Sequence, residues 1–105
     1  MALTVFWTKF AKEKLAEIFE YYKARAGRNV AQKLINEIID HTEGLELNPT
    51  IGQKEELLYD FPNQFRYLIF KHYKIIYWIN SAKDRVDISH IFDTRQNPFK
   101  IREIK

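Results

Sequence analysis

The chain has 105 residues, enough for one domain with a real core, and 46% hydrophobic residues with 15% aromatics exclude a disordered composition. Cysteine is absent, which excludes a disulfide framework, a thiol nucleophile and a cysteine-based zinc site, and fits a reducing cytoplasm. The net charge of +3 is unevenly spread: residues 1–63 carry 8 Lys and Arg against 10 Asp and Glu, residues 64–105 carry 9 against 4. The positive field therefore gathers in the second half, where nucleic acid or an acidic protein would be engaged.

In chain order, residues 3–7 are β-prone, and Thr8 follows as a natural helix N-cap. The opening segment is too short in its apolar part for a signal peptide, and no apolar run approaches a membrane span. Ala11, Leu15, Ile18 and Tyr22 recur at helical spacing with Phe19 beside them, and Gly27 supplies a left-handed stop. Asn29, with Gln32 three residues on, reads as the capping box of a second helix after a link of about three residues. Its stripe of Ala31, Leu34, Ile35, Ile38 and Leu45 runs to Asn48 and Pro49, and so short a link makes the two helices antiparallel.

Beyond a loop over 49–54 the apolar period changes from 3.6 to 2. Strands are expected at 55–59, 64–70, 74–79 and 86–92, with turns at 60–63, 71–73 and 80–84 and a short basic helix after Pro98. The order β-α-α-β-β-β-β predicts one α+β domain over 1–105, an N-terminal strand and helical hairpin packed on a mostly antiparallel twisted sheet. With an odd loop at 71–73, Arg66, Leu68, Phe70, Lys74, Ile76 and Trp78 would share one face; a two-residue loop would send Arg66 and Lys74 opposite ways.

Familiar catalytic signatures are missing. His41, His72 and His90 have no metal-ligand spacing, three glycines cannot build a phosphate loop, and no nucleophile elbow surrounds Ser81 or Ser89. Neither a metal nor a cofactor is expected. What remains is a basic cluster of Arg66, Lys74 and Arg95, able in principle to stabilise the charge of an RNA-cleavage transition state. Beside it, Leu68, Ile76 and Trp78 would form an apolar strip suited to a protein partner, and the outer faces of the two helices could accept the same folding-on-binding segment.

The chain resembles the RelE/ParE toxins of bacterial type II toxin–antitoxin systems. The resemblance rests on Trp7, Thr8 and Ala11 at the first helix, Ile18, Tyr21 and Tyr22 along it, and Leu-x-x-Asn-Pro-x-x-Gly ending at Gly52. It continues through Arg66, through Tyr73-Lys74-Ile75-Ile76-Tyr77, through Val86-Asp87-Ile88 and through the run from Phe92 to Pro98. It implies a toxin neutralised by a cognate antitoxin in the cytoplasm, acting on a macromolecule rather than a small-molecule substrate. Two activities are implied within the family: a ParE-like, non-enzymatic inhibition of DNA gyrase, or a RelE-like ribosome-dependent cleavage of mRNA. In the nuclease reading Arg66, Lys74 and Arg95 fall at basic catalytic positions, and Glu55 lies near a carboxylate general base. Leu68 where RelE proper has a second lysine, Lys74 for arginine and the lack of a tyrosine after Arg95 favour the ParE side, although Asp93 replaces a histidine common there. A gyrase inhibitor would dock through a surface including the basic tail, Lys100, Arg102 and Lys105, and a non-toxic member that only binds its partner is a third reading.

Overall fold

The computed structural model describes residues 2–105; Met1, the first residue of the opening segment, lies outside them. Strand β1 (Thr4–Trp7) leads into helix α1 (Lys9–Ala26) and helix α2 (Arg28–Thr42), followed by β2 (Gln53–Lys54), β3 (Arg66–Phe70), β4 (Tyr73–Asn80) and β5 (Arg85–Asp93). Short 3-10 helices fill Glu43–Glu46, Glu56–Leu58, Ser81–Lys83 and Pro98–Glu103. The sheet order is β1-β5-β4-β3-β2, antiparallel except where β1 runs parallel to β5. The α+β architecture expected from the sequence is therefore present. Among the described residues no helix is long and apolar enough to cross a membrane.

Thr8 caps α1 as its position predicts, its Oγ1 accepting a hydrogen bond from the Ala11 N–H at 3.2 Å. The hairpin is tighter than expected. Gly27 alone, at φ 96°, is both the C-cap of α1 and the N-cap of α2, so Asn29 lies inside α2 and Gln32 bonds Asn36 instead of completing a capping box. Helix α2 ends at Thr42, whose hydroxyl donates to the Ile39 carbonyl, and Leu45 is buried from a 3-10 turn rather than from the helix.

The strand expected at 55–59 is not formed. Only Gln53–Lys54 pair with β3, after which Glu55 caps a 3-10 turn by accepting from the Leu57 N–H. The central hairpin also differs. Its turn is the two-residue Lys71-His72, with Lys71 at φ 53°, and Phe70 pairs directly with Tyr73. Strand β4 thus starts one residue early, which inverts the facing of β3 relative to β4. Arg66, Leu68 and Phe70 lie on the face of Tyr73, Ile75 and Tyr77, whereas Lys74, Ile76 and Trp78 lie on the other with Tyr67 and Ile69. The single face proposed for Arg66 and Lys74 does not exist.

Each face has its own core. Against the helices, Ala11, Leu34, Ile38 and Leu45 pack on Ile75, Tyr77, Val86 and Ile88, with Leu68 and Phe70 at the margin. On the opposite face, Leu58, Phe65, Ile76, Phe92 and Ile101 form a second cluster bordered by Trp78 and Tyr67. The C-terminal 3-10 helix makes this second core possible. On a threefold helix residues three apart eclipse one another, so Ile101 and Ile104 point together into the sheet. Arg102 clamps the same helix to residues 57–60 by a bidentate pair with Asp60, at 2.7 and 2.8 Å, and by a bond to the Leu57 carbonyl. At the far end of the sheet, buried Asp87 accepts from Asn80 and Arg85, and Arg85 stacks 3.8 Å over Phe6 of β1. Ser89 forms a bulge there, since Ile76 pairs with His90 while Tyr77 pairs with Ile88.

Candidate functional site

The four residues of the nuclease reading fall in three separate places. Arg66, beside Tyr77 on the helix-side face, donates Nη1 hydrogen bonds to the Gly52 and Thr50 carbonyls, at 2.8 and 3.3 Å. Tyr77 works on the same loop from below. Its hydroxyl donates to the Pro49 carbonyl at 2.7 Å and accepts from the Gly52 N–H at 2.9 Å; burial raises the phenol's pKa against the opposing pull of that N–H and of the Arg66 charge. A Cβ on Gly52 would stand 2.5 Å from that hydroxyl and 2.7 Å from the Tyr67 carbonyl, which explains glycine at this position without any appeal to flexibility. Arg66 is thus a fastener of the 49–52 loop.

Lys74 and Glu55 meet on the other face. Lys74 Nζ donates to Glu55 Oε2 at 2.7 Å, beneath a carboxylate side chain only 3% exposed, and lies 4.3 Å from the centre of the Tyr67 ring. The remaining Glu55 oxygen accepts from the Leu57 N–H. The carboxylate is therefore committed to a lysine and a backbone amide, and the lysine to a carboxylate and a ring. A general base needs a free lone pair within reach of the proton it removes.

Arg95 is exposed beyond the end of β5 and makes a bidentate pair with Asp93, at 3.1 and 2.8 Å. That contact holds the Asp93 carboxyl below the usual carboxylate range and raises the guanidinium. The apolar strip read from the sequence is likewise divided. Leu68 belongs to the helix-side core, Ile76 is fully buried in the opposite core, and Trp78 is half-buried beside it. They offer no common surface to a partner. Among the proposed tail contacts, Arg102 is engaged with Asp60, while Lys100 borders a cleft. Among the described residues no group of three or more His, Asp or Glu is placed to hold a metal ion.

The cleft, about 180 Å³ in volume, lies between α1, the last residues of β5 and the C-terminal 3-10 helix. Helix α1 contributes a second stripe, Phe10, Lys14, Glu17 and Tyr21, offset from the core stripe and legible as its own i, i+4, i+7, i+11 series. His90 lines the cleft from β5. Its ring is 4.9 Å from Phe10 and 5.7 Å from Phe92, edge to face, and its Nδ1 is buried with no hydrogen-bond partner. Burial, reinforced by the Lys14 charge, lowers its pKa to about 4, so the imidazole is neutral at pH 7. Among scattered histidines nothing in the sequence marked this one; only its strand position among aromatic neighbours distinguishes it.

Two consequences are measurable. Lys74→Met leaves the Glu55 carboxylate buried and unpaired, which costs about 3 kcal/mol in urea unfolding, and Glu55→Leu combined with Lys74→Met recovers most of it. His90 binds its proton in the unfolded chain near pH 6.5 but in the folded chain only near pH 4. Stability is therefore full above pH 6.5 and falls with pH down to about 4, by about 2 kcal/mol at pH 5 from this group. Replacing His90 by Leu flattens that part of the urea-unfolding profile.

Comparison with known proteins agrees with this architecture. The family described as ParE toxin of type II toxin-antitoxin system, parDE, matches residues 5–98. A solved structure described as the chromosomal ParDE TA system from P. aeruginosa has a TM-score of 0.72 at 18% sequence identity, over 88% of this chain and 96% of that one. No curated protein sequence matches the chain significantly. With the family match spanning nearly its whole length, this chain belongs to the ParE toxins of type II toxin–antitoxin systems.

Proposed function

We propose that this toxin arrests growth by binding DNA gyrase in the cytoplasm, without catalysis of its own, and that a cognate antitoxin neutralises it. The observation that carries the reading is the dispersal of the four candidate catalytic groups read from the sequence. Arg66 and Lys74 leave opposite faces of the sheet, Glu55 is closed off by Lys74, and Arg95 is paired with Asp93. RNA cleavage by general acid–base chemistry needs a base and a charge stabiliser converging within about 3 Å of one phosphate. Each of these side chains instead completes a structural contact within the fold, and that supports a protein that works through its surface.

The antitoxin reading follows the family. Of the two surfaces the sequence suggests for it, the Leu68, Ile76 and Trp78 strip is divided between the two cores, which leaves the outer faces of α1 and α2. Val30 and Ile39 of α2 are exposed, and cations of α1 such as Lys23 and Arg25 close the helix C-terminus. An amphipathic acidic segment that folds on binding suits such a surface.

Pulse-labelling of bacteria minutes after induction without antitoxin tests the target. Thymidine incorporation is expected to fall while methionine incorporation continues, and the Glu55→Leu, Lys74→Met double variant is expected to retain that effect. Early collapse of methionine incorporation would instead make translation the target and return the nuclease reading.

A further inference from the structure

The fold keeps its free positive charge in the half of the chain whose net charge is negative. Of the six arginines, Arg66, Arg85, Arg95 and Arg102 bond carbonyls or carboxylates of the same chain. The other two, Arg25 and Arg28, flank Gly27 at the tip of the helical hairpin and form no ion pair among the described residues. Lys23 stands just before them. Residues 21–36 hold four Lys and Arg with no Asp or Glu, whereas the remainder of residues 1–63 carries 4 against 10. All of residues 23–30 are exposed, and a Cβ added at Gly27 would meet nothing within 4 Å, so the tip stands clear of the rest of the molecule.

Helix stability accounts for only part of this charge. Lys23 and Arg25 suit the last turn of α1, where cations complement the helix dipole. Arg28 opens α2, where a cation opposes the dipole, and no acidic residue in that turn offsets it. Each arginine lies against a ring instead of a carboxylate: Arg25 is 3.8 Å over Tyr21, and Arg28 is 5.9 Å from the centre of Phe19. Stacking occupies the flat face of a guanidinium and leaves its edge, which carries the N–H donors, open to a ligand.

The surroundings restrict what that ligand is. A planar fork matches phosphate oxygens in pairs. The residues between the cations are Ala24, Ala26 and Gly27, small enough for a sugar–phosphate strand to come close to the helix backbone. A protein partner is anchored by large apolar or aromatic side chains in a desolvated centre, and residues 23–29 contain none; the first is Val30.

We propose that the tip of the α1–α2 hairpin is a docking surface for duplex DNA, where Lys23, Arg25 and Arg28 bond backbone phosphates without reading sequence. The choice of duplex DNA rests on the gyrase reading, since a toxin seated on gyrase stands beside the DNA that gyrase holds. The tip then gives the toxin a second point of attachment to the complex it arrests.

Fluorescence anisotropy of a labelled duplex, titrated with the purified full-length toxin at several salt concentrations and without gyrase, tests the proposal. Three phosphate contacts predict that log K falls with log salt at a slope of about −2.7. Combining Arg25→Gln with Arg28→Gln is expected to reduce the magnitude of that slope by about 1.8. Combining Lys12→Gln with Lys83→Gln removes the same charge elsewhere on the surface and is expected to leave the slope unchanged. Urea unfolding verifies that both variants fold. The proposal is overturned if the wild type does not bind at about 200 μM protein in low salt, or if the two double variants weaken binding equally. It is overturned as well if a polyglutamate peptide of equal charge binds more tightly than the duplex, which would assign the tip to an acidic protein. With gyrase absent, failure here leaves the thymidine result standing, and early collapse of methionine incorporation would leave the measured DNA contact standing.

Discussion

The fold turns on the phenol of Tyr77. It is the largest fully buried side chain, placed where the helix-side core, the β3–β4 hairpin and the 49–52 loop meet. Its ring fills the core, while its hydroxyl must be satisfied in a region closed to water. Two backbone groups from the loop do this, the Pro49 carbonyl and the Gly52 N–H, and they fit only because residue 52 has no side chain. Arg66 closes the loop over the top. The Leu-x-x-Asn-Pro-x-x-Gly segment and the Tyr-x-x-x-Tyr segment, distant in sequence, are thus two halves of one contact. Their residues are explained by packing and hydrogen bonding before any partner is considered.

Once that loop is fixed, the path of the chain beyond it follows. Gln53 and Lys54 can pair with β3 only briefly before Glu55 turns inward to meet Lys74, and the 3-10 turn that follows lays Leu58 on the second face. The C-terminal 3-10 helix is then drawn over the same face by Ile101 and by the Arg102–Asp60 pair. The basic second half of the sequence is consequently less of a free positive surface than its charge suggests. Arg66, Lys74, Arg85, Arg95 and Arg102 all bond carbonyls or carboxylates of the same chain. Those contacts leave little for a phosphate, and they are the physical reason to favour a binding toxin over a nuclease.

Much of the architecture was legible in the sequence because it depends on local signals. The Thr8 cap, the stop at Gly27, the apolar stripe of α1, that of α2 as far as Ile38, and the last strand all appear where spacing and capping chemistry place them. The failures came where one residue decides a facing. Tyr73 reads equally well as turn or strand, and its pairing with Phe70 shifts β4 by one position, which separates Arg66 from Lys74 and Leu68 from Ile76. Nor could Glu55 be assigned from sequence: its neighbours are β-prone, but its carboxylate gains more from capping Leu57 and pairing with Lys74 than from continuing a strand. The cleft was missed for a different reason. The Phe10, Lys14, Glu17 and Tyr21 stripe is visible in α1, but its meeting with His90 and the last residues of β5 is a tertiary event.

Native-state hydrogen exchange at the Gly52 amide tests the anchoring role of Tyr77 most directly. The account predicts that this N–H, donated to a buried hydroxyl from within a loop, exchanges only with global unfolding, at the same free energy as the core amides of β4. Exchange through local opening, at a free energy well below that of the β4 core, would contradict it. The loop would then be held by something other than Tyr77, and the two motifs would need another explanation.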